Sequence, residues 1–215
     1  VFGWTLRVFV NEGLLRFLFT DALDTRYQLS FVEERVRAQL RRWAVDVAGE
    51  PGAIMLRQPG PGGLPDHPLP AEGGDVVIRT FGDLVKVLEE LLDPTDGTEP
   101  DTSWSGRVQG GTVSAFMRRL HAAQARVGHL IAAGKSDRID RGKAQVTVVA
   151  IQTLHDLAQR FVVGALLQET FDEKEKTGQR LPLSVVVLDE LKKYAPREGA
   201  SPLKEMLIDI AQRDR

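Results

Sequence analysis

LSVVVLDELKKYAPREG occupies residues 183–199, and its reading decides the fold. A mostly apolar run, 183–188, leads directly into two adjacent carboxylates, Asp189 and Glu190. Burying even one unpaired carboxylate is expensive. Two in succession at the end of an apolar strand therefore mark a place where the strand meets water. That place is either a functional crevice or a strand end whose carboxylates are solvated or cap a turn, and the pattern alone leaves both open.

The neighbouring segments supply context. AQVTVVAI (144–151) is a second β-rich run. Residues 154–172 place Leu154, Leu157, Phe161, Val162, Ala165 and Leu166 on one helical face. A last helix is predicted from about Pro202, with Ser201 as N-cap and proline at the favoured first position. Strand, helix, strand, helix is the pattern of a parallel βαβ unit. Near-continuous apolar runs fit strands covered on both faces by helices. Such sheets bind ligands at the carboxyl ends of their strands, which is where Asp189 and Glu190 fall. In P-loop nucleotide hydrolases an aspartate at such an end holds Mg²⁺, and a glutamate directly after it can orient and deprotonate the attacking water. Mg²⁺ keeps several waters, so one or two carboxylates suffice.

The phosphate-binding half of such a site is missing from the sequence. A P-loop needs GxxxxGK[ST] between a strand and a helix. The one GK[ST] match, Gly134-Lys135-Ser136, has Gly128 one residue too far upstream and follows a predicted helix end. Gly134 reads instead as a helix C-cap. Any phosphate loop is expected upstream of Val1, and the chain reads as an internal piece of a longer protein.

The first two thirds are predominantly helical by pattern. Apolar positions recur at helical spacing over 5–20 and again over 28–48, where Leu29, Val32, Val36, Leu40, Trp43 and Val47 form a stripe. Residues 49–74 hold six of eleven prolines and seven of twenty glycines, which forbids a continuing helix or central strand. Short strands are expected at AIML (53–56) and DVVI (75–78). A helix follows over 81–92 with Thr80 as N-cap, then a polar loop over 93–111 and a longer helix from about Thr112 to Ala133.

Bulk composition excludes several chemistries. With 42% hydrophobic and 27% charged residues a packed core is expected. The net charge of −2 demands no nucleic-acid partner. Without cysteine there is no disulfide and no Cys-ligated metal. His67, His121, His129 and His155 show no paired metal spacing. The arginines at 35, 37, 41, 42, 118 and 119 are better read as solvated helix faces than as phosphate ligands. Arg213 and Arg215 end the chain where an arginine reaching a neighbouring subunit's phosphate would be conceivable. No signal peptide or membrane span is evident.

The stretch VVVLDELKKYAPREGASPLKEMLIDIAQRDR (185–215) resembles the Walker B region of HerA/FtsK-type P-loop ATPases, a family of hexameric DNA translocases. AQVTVVAIQTLHDLAQRFVVG (144–164) is similar to the strand and helix preceding it. FGWTLRVF (2–9), FGDLVKVLEELL (81–92) and GTVSAFMRRLHAAQARVGHLI (111–131) resemble the helical segment placed between Walker A and Walker B. The resemblance covers most of the chain outside 49–74. It implies an α/β fold: a partial RecA-like parallel sheet over 144–215 with a largely helical insertion over 1–143. It also implies ATP and Mg²⁺ as cofactors, Asp189 as the Walker B aspartate coordinating Mg²⁺ through water, and Glu190 as the catalytic glutamate. The implied partners are double-stranded DNA, further copies in a homo-hexamer and a nuclease, in the cytoplasm and without a membrane. Lacking Walker A, the chain alone is expected to be inactive. Two alternatives stand beside this reading: an ATPase that moves protein or a conjugative substrate, and a non-catalytic helical interaction domain.

Overall fold

A computed structural model describes residues 2–19, 27–58, 67–68, 75–94, 102–135, 145–178, 185–195, 197, 199 and 201–213. Among them the chain is helix-rich with a small antiparallel sheet, a mixed α/β arrangement at the coarse level. Helix α1 (Leu6–Asn11) is capped by Thr5, whose hydroxyl accepts from Val8 N at 3.1 Å. The helix expected over 5–20 is broken at Gly13, which adopts a left-handed φ of 64°. A 3-10 turn over Leu14–Leu18 follows and buries Leu14, Leu15, Phe17 and Leu18. The bend lets both short pieces face one core where a straight helix would have pointed one of them outward.

Helix α2 (Tyr27–Trp43) stops five residues short of the expected 48. Its continuation is strand β1 (Ala44–Asp46), which pairs antiparallel with β2 (Ile54–Gln58) in the register Ala44–Leu56, Val45–Met55 and Asp46–Ile54. The connection uses Gly49 and Gly52 at φ 78° and 85°, a backbone region that glycine enters freely. The two-residue strand β3 (His67–Pro68) pairs with the far end of β2, giving the order β1-β2-β3. The strand expected over 75–78 reduces to a bridge between Ile78 and Ile54.

Helix α3 (Phe81–Leu92) begins where expected. Thr80 Oγ1 accepts from Asp83 N at 3.1 Å, and Asp83 Oδ2 accepts from Thr80 N at 2.9 Å, a reciprocal capping box. A one-turn helix α4 (Thr102–Ser105), inside the stretch expected to be loop, carries the fully buried Trp104. Helix α5 (Gly110–Val127) passes into a 3-10 turn over Gly128–Leu130. Gly134 is therefore no helix C-cap. It lies in a turn after Ile131 and Ala132, which bridge to Trp4 and Thr80. Helices α6 (Asp156–Thr177), α7 (Leu191–Tyr194) and α8 (Pro202–Arg213) complete the order.

The main core gathers aromatic rings from distant segments. Trp4 meets Phe161 edge-on at 5.1 Å, Phe9 meets Phe81 at 5.7 Å, and Phe19 stacks on Phe116 at 5.1 Å. Offset and edge-on pairs of this kind add to what their buried area contributes. Helix α6 belongs to this core through Ala158, Phe161, Val162 and Ala165, and to a second cluster through Val163 and Leu167.

The parallel sheet expected from 144–151 and 183–188 does not form among the described residues. Residues 146–151 and 185–188 carry no strand pairing, and 144, 183 and 184 lie outside the described residues. Val146, Val148, Val185 and Val187 are 77–86% exposed. A strand exists only when a neighbour takes up its backbone N–H and C=O groups. No described segment lies alongside either run to do so. Their side chains are those of sheet strands, but apart from Ile151 and Leu188 at their ends their setting here is solvent.

Candidate functional site

Asp189 and Glu190 sit where the second valine run ends. The Asp189 carboxylate folds back on the chain, with Oδ1 accepting from Glu190 N at 2.9 Å. Glu190 is the N-cap of α7 and has φ 53° and ψ 43°, the left-handed region. Among the described residues no other non-glycine residue has a positive φ. A β-carbon makes that conformation costly by roughly 1–2 kcal/mol, and such residues cluster at functional sites. Both carboxylates are exposed, so the pair faces water.

The turn that follows is tied down at two points. Lys193 Nζ lies 2.7 Å from Asp156 Oδ1, in the first turn of α6. Tyr194 is buried among Val163 and Leu167 of α6 and Leu203 of α8. Ile151 and Leu188, the last apolar residues of the two runs, both pack on this cluster. The carboxyl ends of the two runs therefore meet at one place, although the runs themselves are unpaired. Helix α8 is held by the N-cap expected for it: Ser201 Oγ accepts from Lys204 N at 3.2 Å.

Electrostatics follow from these contacts. The hydrogen bond from Lys193, and then its charge, hold the Asp156 carboxyl below its ordinary range. The same bond raises the Lys193 ammonium above its own. Burial pushes the Tyr194 phenol up. Asp156 carries negative charge at a helix N-terminus, where the helix dipole favours it. His155 caps the same helix, its Nδ1 accepting from Leu157 N at 3.2 Å, which places any ring proton of the neutral imidazole on Nε2.

Among the described residues no group of three or more His, Asp or Glu side chains is placed to hold a metal ion. Two exposed carboxylates fit the sparse protein ligation of Mg²⁺, and they do not fit a dedicated Zn²⁺ or Ca²⁺ cage. Lys135, in the rejected GK[ST] match, follows a turn with its N–H bonded to Ala132 O at 3.0 Å, and Ser136 lies outside the described residues. The described residues thus supply two water-facing carboxylates and no phosphate cradle.

Several of the other sequence candidates have local partners. Arg37 pairs with Glu33 at 2.9 Å, Arg35 donates to Ser103 O at 2.9 Å, and the Arg42 guanidinium sits 4.4 Å from the Trp43 ring centre. His121 lies 3.3 Å from Glu89. Arg215 and the Arg213 side chain lie outside the described residues. Sequence reasoning missed the Lys193–Asp156 tie: both residues lie inside the stretches that carry the resemblance, but no pattern pairs them and the contact spans two helices. The one available signal was an aspartate opening the helix after the first β-rich run, with a lysine three positions beyond Glu190.

No helix among the described residues is long and apolar enough to cross a membrane. No protein-family model matches the chain, and no curated protein matches it either.

Proposed function

We propose that this chain contributes the Walker B half of the nucleotide site in a P-loop ATPase of the HerA/FtsK type, a cytoplasmic ring motor that moves double-stranded DNA. The observation that carries the reading is an apolar run ending in Asp189-Glu190, with Glu190 held in the left-handed region at the head of a one-turn helix. An ordinary solvated strand end has no use for that conformation, and glycine, asparagine or aspartate would adopt it more cheaply.

Asp189 would hold Mg²⁺ through water, and Glu190 would take the proton of the attacking water. Mg²⁺-ATP supplies the electrophilic phosphoryl group and the charge neutralisation at its oxygens. Everything else this chain does at the site is placement: the Asp189 carboxylate is oriented by the Glu190 N–H, and the Glu190 backbone is fixed by the turn of α7. The exposed valines at 146, 148, 185 and 187 are the side chains a two-sided parallel sheet would cover. On this reading the remaining strands, the phosphate loop and the neighbouring subunits of a homo-hexamer lie outside the chain.

The test is ATP hydrolysis by the gene product that contains this chain, with and without duplex DNA. Glu190→Gln should lower the rate by at least about 10²-fold while nucleotide binding persists, and Asp189→Asn should weaken the Mg²⁺ dependence. Stimulation of the wild type by duplex DNA supports the DNA-moving reading. An ATPase that ignores DNA points to a protein or conjugative load. Hydrolysis that survives Glu190→Gln removes the motor assignment altogether.

A further inference from the structure

Helix α7 is four residues long, far too short to hold itself together, because the first helical turn fixes several residues for a single hydrogen bond. Its internal bonds, Lys193 N to Glu190 O and Ala195 N to Leu191 O, are both 2.8 Å. The turn also carries a left-handed glutamate at its head. Its geometry must be imposed from outside.

We infer that Lys193, paired with Asp156 at the start of α6, is a positioning residue that fixes the Glu190 carboxylate for the proposed hydrolysis. The inference rests on the ATPase reading above. Lys193 follows Glu190 by three positions and its N–H donates to Glu190 O at 2.8 Å, so it closes the turn that Glu190 opens. Its ammonium is anchored 2.7 Å from Asp156 Oδ1, and Tyr194 beside it is buried against α6 and α8. The turn is thus pinned on its polar side by the ion pair and on its apolar side by the phenol ring. Asp156 follows directly after the His155 cap, close to Ile151, where the first valine run ends. The tie therefore joins the carboxylate turn to the element that follows the other run, and sets Glu190 relative to α6.

The pair is poorly suited to any other task. The Asp156 side chain is 67% exposed and that of Lys193 25% exposed, and an ion pair open to solvent on one side contributes little to global stability. Positional accuracy is a different matter, since a misplacement of about 1 Å at a reacting group can cost about 10²-fold in rate.

The experiment uses the gene product containing this chain, with Lys193→Met, Asp156→Asn, Lys193→Arg and the swap Asp156→Lys/Lys193→Asp, and Lys192→Met as the control beside them. Amide hydrogen exchange over 189–195 is read without nucleotide, and kcat and KM for ATP are read separately. Lys193→Met and Asp156→Asn should each speed exchange across the turn. Each should also lower kcat about 10-fold or more, with KM within about 2-fold and an unfolding midpoint close to wild type. Lys193→Arg and the swap should recover most of both readouts, and Lys192→Met should change neither. Unaltered exchange in both single variants overturns the inference, as does an unaltered kcat in a protein that Glu190→Gln inactivates. If Glu190→Gln itself leaves hydrolysis intact, the ATPase reading fails first and takes this one with it.

Discussion

Gly164 of α6 lies against Phe17 so closely that a β-carbon built on it would stand 2.6 Å from Phe17 Cδ1. Phe17 is fully buried, and the Arg16 guanidinium lies 4.7 Å from the centre of its ring. Arg16 in turn donates to Gln168 Oε1 at 2.7 Å, and Gln168 donates to Glu12 O at 2.7 Å. The 3-10 turn and α6 therefore meet at a seam with no spare volume. Alanine ordinarily gains about 1 kcal/mol over glycine inside a helix. Here overpacking should outweigh that gain, and Gly164→Ala should lose about 1–2 kcal/mol. Urea unfolding decides it, since a variant more stable than wild type would mean that the Phe17 ring has room to move.

The capping box of α3 gives a smaller and more local effect. Thr80→Ala removes the acceptor for Asp83 N and leaves Asp83 with half of a reciprocal pair. The expected cost is about 1 kcal/mol, with Thr80→Ser retaining most of the stability. Thermal melts of the three proteins check this. An alanine variant that melts with the wild type would show that tertiary packing of Phe81, Leu84 and Leu88 alone sets the start of the helix.

The Thr80 cap was legible in the sequence because everything it needs lies within four residues. The same holds for Ser201 ahead of α8, and for α6, whose apolar stripe delivers Phe161 and Val162 to the core. The break at Gly13 was not legible. Leu14, Phe17 and Leu18 suit a continuing helix as well as a 3-10 turn, and the crowding of Gly13 by Arg37 and Arg41 of α2 comes from residues distant in sequence. The hairpin after Trp43 was hidden because Ala44–Asp46 continues an apparent helical stripe, and only pairing with Ile54–Leu56 converts it to a strand. Trp104 sits in a polar stretch, so its burial is set by neighbours that its own segment does not reveal. The valine runs show the opposite case. Their composition announces strands, but strand pairing is a property of neighbours, and among the described residues none is present. The carboxylate pair was readable from its motif, whereas the left-handed backbone of Glu190 and its tie to α6 were not.

Glu33 is a carboxyl inside the helical body, only 8% exposed and paired with Arg37 at 2.9 Å. Burial pushes its pKa up, and the attraction of Arg37 does not fully offset this. Glu12 is also raised, by burial first and then by its hydrogen bond with Asp172, against the pull of Lys176 and Arg41. For both groups the folded protein holds its proton more tightly than the unfolded chain. Their contribution is full below the ordinary glutamate value of 4.5 and is lost as pH rises through the higher folded value. Glu33→Gln should therefore flatten the fall in stability that wild type shows above that point. Arg37→Met should cost about 2 kcal/mol at neutral pH, less than the roughly 3–5 kcal/mol for a fully buried pair because Arg37 is partly exposed. The double change Glu33→Met/Arg37→Met should recover most of that loss. Denaturant titrations between about pH 4 and 8 test all three, and a Glu33→Gln profile parallel to wild type would refute the assignment.

The strain at Glu190 separates function from stability. A non-glycine residue in the left-handed region costs roughly 1–2 kcal/mol, and glycine returns about 0.5–1 kcal/mol of that through the greater freedom of the unfolded chain. Glu190→Gly should thus leave the protein as stable as wild type or more stable, by up to about 1.5 kcal/mol. Glu190→Gln keeps the β-carbon and should change stability by less than about 0.5 kcal/mol. Under the proposed function both variants lose hydrolysis, so the glycine variant would be the more stable protein and an inactive enzyme. That combination is the signature of a residue kept for its carboxylate at the expense of its backbone. If Glu190→Gly instead destabilises the protein beyond about 1 kcal/mol, the side chain has a structural partner in the folded state and the strain argument for a functional site fails.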